Sequence, residues 1–158
     1  MLPSPMNASP PKIVIDTQVV MDWLVFADPR VAPLVAAIEA GRITWVGRPA
    51  MLAELRHVLG RGVAQAWQPD VARIEAAFAR HCQMIEAEPA PAVRLVCRDP
   101  DDQQFIDLAL AQGARWLLSR DKAVLALRKR ALTSGLAIAT PEAWIRLQSP
   151  THAGSAGA

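Results

Sequence analysis

Four carboxylates, Asp16, Glu54, Asp102 and Asp121, stand where strands end or helices begin. Asp16 directly follows the apolar run Ile13-Val14-Ile15. Glu54 sits in the opening turns after Pro49, Asp102 precedes a stretch with helical apolar spacing, and Asp121 closely follows Trp116-Leu117-Leu118-Ser119. Carboxylates that converge repel one another and raise each other's pKa unless a cation neutralises them. With no histidine or cysteine in the set, such hard oxygen donors select Mg²⁺ or Mn²⁺. The chemistry suited to this site is phosphodiester hydrolysis, in which one or two divalent ions polarise the phosphoryl group, activate water and stabilise the leaving oxygen. Each acid also has an ordinary reading. Asp102 and Asp121 could cap helices, worth about 1 kcal/mol each, and Glu54 could be a solvated helix-face residue. Asp16 resists this, because a carboxylate at the mouth of a buried strand is costly to desolvate without a partner.

The elements that must position these acids follow from hydrophobic spacing. Ile13–Ile15, β-branched and unbroken, reads as a strand buried on both faces of a parallel sheet. Val19, Val20, Trp23 and Leu24 follow helical spacing, and a second helix with Leu34, Val35 and Ile38 inward stops at Gly41. Ile43–Val46 predicts a second strand, and Pro49 opens a helix with Leu52, Leu55 and Leu59 on one face. Asp70 caps a long helix with the stripe Val71, Ile74, Phe78, Cys82 and Ile85, and the extended, proline-broken stretch Glu86–Cys97 has room for a short strand. A helix over Asp102–Gln112 closes at Gly113, Arg115–Ser119 is a strand, and Asp121 starts one helix carrying the basic run Arg128-Lys129-Arg130 at its far end. Leu136–Thr140 and a helix from Pro141 through Leu147 complete the series. Strands alternating with helices predict an α/β fold: a three-layer α/β/α sandwich with a mostly parallel central sheet and right-handed crossovers. In such a sheet all four acids fall on the edge formed by the strands' C-terminal ends, where ligand sites form.

Composition is compatible with this architecture. At 158 residues, 52% hydrophobic and 20% charged, the chain has a core large enough for one domain, placed at 12–148. Residues 1–11, with Pro3, Pro5, Pro10 and Pro11, are expected to be a flexible lead-in with no signal-peptide or membrane-span character, and 149–158 a flexible tail. Cys82 and Cys97 lack C-x-x-C spacing and read as reduced thiols of a cytoplasmic protein. The net charge of +2, with 14 of 17 basic residues Arg, excludes a passive nucleic-acid coat, so any polyanion contact must be local. Arg48, Arg56, Arg120 and Lys122 flank the acidic edge and are the candidate polyanion contacts. Dinucleotide-binding, P-loop, zinc-protease and serine-hydrolase signatures are absent from the sequence. His57 reads as an exposed helix residue, and Asp99 and Asp101 as turn residues around Pro100. Asp107, about 140° round the helix from Asp102, is expected to face away.

Four stretches together resemble one family: Ile13-Val14-Ile15-Asp16-Thr17; Ala53-Glu54-Leu55; Arg98-Asp99-Pro100-Asp101-Asp102-Gln103-Gln104-Phe105-Ile106; and Gly113-Ala114-Arg115-Trp116-Leu117-Leu118-Ser119-Arg120-Asp121-Lys122. The chain is similar over 12–147 to the PIN-domain family of metal-dependent ribonucleases, and within it to the VapC-like toxins of bacterial toxin–antitoxin modules. The resemblance implies a Mg²⁺- or Mn²⁺-binding acidic pocket of Asp16, Glu54, Asp102 and Asp121, with Thr17, Gln18 and Ser119 in support. It also implies RNA as substrate, a cognate antitoxin as inhibitor and a homodimer, with no membrane role. The family's first motif usually reads Asp-Thr-Asn, whereas Gln18 takes the last place here. Two alternatives stand beside the nuclease: a non-catalytic PIN-like module that binds RNA or a partner, and a receiver-like phospho-acceptor using Asp16 with Lys122.

Overall fold

In the computed structural model, which describes residues 9–148, five strands form one sheet: β1 Lys12–Ile15, β2 Thr44–Gly47, β3 Cys82–Met84, β4 Trp116–Leu118 and β5 Ala137–Ala139. The order across the sheet is β3-β2-β1-β4-β5, and all four pairings are parallel. Alternate residues feed two helical layers. Ile13 and Ile15 of β1, with Trp116 and Leu118 of β4, face one core, and Val14 and Leu117 face the other. The first layer holds α1 Thr17–Leu24, α2 Ala32–Glu39, α3 Pro49–Gly60, α4 Val71–His81 and α8 Pro141–Gln148; the second holds α5 Gln103–Ala111, α6 Lys122–Leu125 and α7 Arg128–Leu132. The three-layer α/β/α sandwich is therefore present. Pro49 and Pro141 open α3 and α8, and Gly41 and Gly113 take positive φ (74° and 62°) just after α2 and α5, which a side chain would strain.

Two elements differ from the sequence pattern. The stripe through Cys82 and Ile85 does not continue α4, which ends at His81. Instead Cys82 turns extended (φ −98°, ψ 127°) and pairs with Trp45, so the short strand lies at Cys82–Met84 and not within Glu86–Cys97. A Cβ on Gly47 would lie 2.8 Å from Cys82 Sγ, and the bare backbone there is what admits the close approach. Val71 is exposed, because only Ile74 and Phe78 of α4 are buried. The segment after Asp121 is two helices, α6 and α7, and not one, with Leu127 turned down into the second core between them. Among the described residues no helix is long and apolar enough to cross a membrane. The expectations for 1–8 and 149–158 lie outside the described residues.

Candidate active site

Chain order reverses between β1 and β4, the first leading to β2 and β3 on one side and the second to β5 on the other. A crevice opens beyond the carboxyl ends of two strands that diverge in this way. It is occupied by a cavity of about 280 Å³ lined by Asp16, Thr17, Gln18, Glu54, Asp102, Arg120 and Asp121. All four carboxylates singled out above are thus brought to one place.

Their environments differ. Asp16 is only 5% exposed. Its Oδ1 accepts from Val19 N–H at 3.1 Å, capping α1, and its Oδ2 accepts from the buried Ser119 hydroxyl. Burial, the largest influence, pushes its pKa up, while these two hydrogen bonds lower it and the charges of Asp121 and Asp22 raise it. Ser119 Oγ also accepts from Asp121 N–H at 2.9 Å, so one hydroxyl ties the end of β1 to the turn after β4. Removing it leaves a buried carboxylate and a backbone N–H each short of a partner, a loss of about 1–3 kcal/mol. Ser119→Ala is therefore expected to lower Tm by roughly 2–12 °C; an unchanged melting curve would show that this tie carries no stability.

Glu54 is held from both sides. Thr17 Oγ1 donates to Oε2 at 2.8 Å and Gln104 Nε2 to Oε1 at 2.9 Å. Asp121 caps α6 through Ala123 N–H at 2.8 Å. Asp102, by contrast, sits at the start of α5 without making any side-chain cap bond. Its Oδ2 is buried and without a partner among the described residues. Burial first, then the charges of Asp121, Asp99 and Asp16, push its pKa up to about 7.

Asp99 was expected only to shape a turn. It does so, accepting from Asp101 N–H at 3.0 Å, but carboxylate oxygens of Asp99, Asp102 and Asp121 also lie within 4.8 Å of one another. The 3₁₀ turn over Pro100–Asp102 brings Asp99 and Asp102 together. Gln103 fixes that turn, accepting from Cys97 N–H and donating to the Leu95 carbonyl, both at 2.7 Å. Its amide also reaches Asp107 at 3.0 Å, and Asp107 does not line the cavity. An all-oxygen group with an orphaned buried Oδ2 is suited to a hard divalent cation, and Asp99, Asp102 and Asp121 are the residues that could hold it.

The surrounding cations are mostly committed elsewhere. Arg120 donates to Asp22 at 2.9 Å and grips Glu142 with two bonds of 2.7 and 2.6 Å, which raises its own pKa and lowers that of Glu142. Neither acid was marked by its sequence position, Glu142 reading as a helix-face residue. Arg48 pairs with Glu88 at 2.8 Å and with two carbonyls after β3, and Arg56 with Glu75 at 2.6 Å. Lys122 is exposed and makes no ion pair among the described residues. Gln18 turns its amide to Asp22 at 3.1 Å, one helical turn on, and not to Asp16. A phospho-acceptor would need Asp16 open to a phosphate donor, whereas both its oxygens are bound and buried.

Residues 12–123 match a family model described as PIN domain. No curated protein matches the chain.

Proposed function

The chain belongs to the PIN-domain family, whose members are generally metal-dependent nucleases, and on that premise we propose that it is a Mg²⁺- or Mn²⁺-dependent endoribonuclease and the toxin of a toxin–antitoxin pair. The observation that carries the nuclease reading is the grouping of Asp99, Asp102 and Asp121 carboxylate oxygens within 4.8 Å of one another, where Asp102, whose buried Oδ2 has no partner among the described residues, and Asp121 line the same cavity as Asp16 and Glu54. A divalent ion supplies polarisation of the phosphoryl oxygen and a lowered pKa for the attacking water. The protein's own groups do the rest. Asp99, Asp102 and Asp121 would hold the cation, and Asp16, fixed by Ser119 and Val19, would add negative charge to the site. Glu54, immobilised by Thr17 and Gln104, orients the attacking water with the lone pairs its two donors leave free. Lys122, next to Asp121 in the chain and without an ion pair among the described residues, takes a flanking phosphate. As a toxin the protein acts in the cytoplasm, is silenced by its cognate antitoxin and forms a homodimer. The exposed Trp67, stacked edge-on against Phe26 at 5.1 Å, and the exposed Val63 offer apolar contact area for such partners.

The test is cleavage of end-labelled RNA and matched DNA oligonucleotides by purified protein with Mn²⁺, with Mg²⁺ and with chelator. Expected are internal cuts in RNA that need metal, together with growth arrest on expression that is relieved by the small protein encoded beside the gene. RNA that is bound but never cut would instead make the protein a non-catalytic binding module.

Gln18 bears on that alternative, since its departure from the family's asparagine is the reason to suspect lost activity. It lines the cavity, but its amide goes to Asp22 and among the described residues it makes no hydrogen bond to Asp16 or to the acids of the metal group. Gln18→Ala and Gln18→Asn are therefore expected to change single-turnover RNA cleavage by less than about threefold, ~0.6 kcal/mol in barrier. A loss of tenfold or more in either variant would place Gln18 in the catalytic machinery.

A further inference from the structure

We propose that the protein has a second ligand site, at the opposite end of the sheet from the acids, for an organic anion with a flat apolar body. The strands' N-terminal ends meet there, with Pro11 leading into β1, Arg42 and Ile43 into β2 and Arg115 into β4. Between them and the flanks of α2 and α8 lies a cavity of about 480 Å³, larger than the acidic one and within the range of roughly 300–1,000 Å³ typical of small-molecule sites.

Three features define what it would take. Its wall is aromatic, with Trp116 and Trp144 packed edge to face, centroids 5.5 Å apart at 82°. Its charge is purely positive: Arg42 and Arg115 line it and no acid does. Neither arginine has a carboxylate partner among the described residues. The Arg115 guanidinium lies 5.0 Å from the centroid of the Trp116 ring, a cation–π contact that steadies the group and leaves its N–H donors free. The third feature is Trp144 Nε1, a buried donor that has no acceptor among the described residues, an uncommon state for an indole N–H. A carboxylate or phosphate on an aromatic body fits the first two, its anion on the two guanidiniums and its ring against the tryptophan wall, and an anion oxygen that reached Trp144 Nε1 would supply that donor's missing acceptor. Residues 1–8 and 149–158 contain no Asp or Glu, so no side chain of theirs could neutralise the two guanidiniums.

The test follows the indole N–H signals of the five tryptophans in the ¹⁵N-labelled full-length protein, with Trp144 assigned through Trp144→Phe. The probes are 2-naphthoate, 2-naphthyl phosphate and the uncharged 2-naphthylmethanol. Expected is saturable movement of the Trp116 and Trp144 signals with Kd below 1 mM for at least one anion; which anion binds tighter identifies the headgroup. Binding should be at least tenfold weaker for the alcohol and for the Arg42→Ala/Arg115→Ala protein, while Asp102→Asn binds as the wild type does. Both arginines are exposed, and unchanged Trp23, Trp45 and Trp67 signals verify that the double variant is folded. The proposal fails if neither anion moves the Trp116 and Trp144 signals. It also fails if the double variant binds equally well, or if the alcohol matches the anions, which would be apolar adhesion without an anion site.

Discussion

Asp102→Asn is expected to remove nearly all metal-dependent RNA cleavage, at least about 1,000-fold or ~4 kcal/mol in barrier, while leaving the protein folded. The substitution keeps side-chain volume and costs no helix cap, because Asp102 makes none. What it removes is a negative oxygen donor whose buried Oδ2 has no other partner among the described residues. Asp99→Asn should lose activity in the same direction, since its carboxylate belongs to the same close group. Asp107→Asn is the control. Its side chain serves Gln103 and stays out of the cavity, so cleavage should remain within a few-fold of wild type. Single-turnover rates for the three variants at saturating Mn²⁺ decide the matter. Equal losses for Asp102 and Asp107 would mean that the site has been placed on the wrong residues, and full activity without Asp102 would remove the metal group from the mechanism.

The second large effect is on stability, and it depends on pH. Asp102 has a folded-state pKa raised to about 7, and Asp16 is also raised, in both cases chiefly by burial. An acid whose pKa is higher folded than unfolded binds more protons in the folded state, so its stabilising contribution is present at low pH and is lost as pH rises through the folded value. The metal-free protein should therefore become less stable from pH 6 to pH 8. Glu142 and Asp28, whose pKa values are lowered, titrate below that window and do not offset the trend. A divalent cation competes with the proton for the same oxygens, so its stabilisation should be greater at pH 8 than at pH 6. At 100 times its Kd it contributes about 2.7 kcal/mol, or roughly 5–10 °C in Tm for a domain of this size. Thermal melts with chelator and with Mn²⁺ at both pH values measure this, and Asp102→Asn should lose most of the metal shift. A shift that is equal at pH 6 and pH 8, or undiminished in the variant, would overturn the assignment of Asp102 as a ligand.

Local patterning alone determined the α/β class, the alternation of elements, the stops at Gly41 and Gly113, the openings at Pro49 and Pro141, and the edge on which Asp16, Glu54, Asp102 and Asp121 fall. These follow from apolar period and backbone preference, which act over a few residues, and from the rule that parallel strands send their C-terminal ends to one side. The resemblance to the PIN-domain family, and not periodicity, set Ser119 beside the acids. Tertiary structure decided how the site is wired. The helical stripe through Cys82 and Ile85 gave way to pairing with β2 because an edge-strand register is a contact with another element, outside the reach of periodicity. Asp99 joined Asp102 and Asp121, and Asp102 left its cap position open, through the geometry of one 3₁₀ turn held by Gln103. Arg120 was engaged by Asp22, 98 residues away, and by Glu142, 22 residues on. The charge of a residue is written in the chain, but the partner that neutralises it is selected by rotamers and layer packing among residues distant in sequence. For that reason the acids could be found by reading, while the cations left free to meet a phosphate could be found only in the folded molecule.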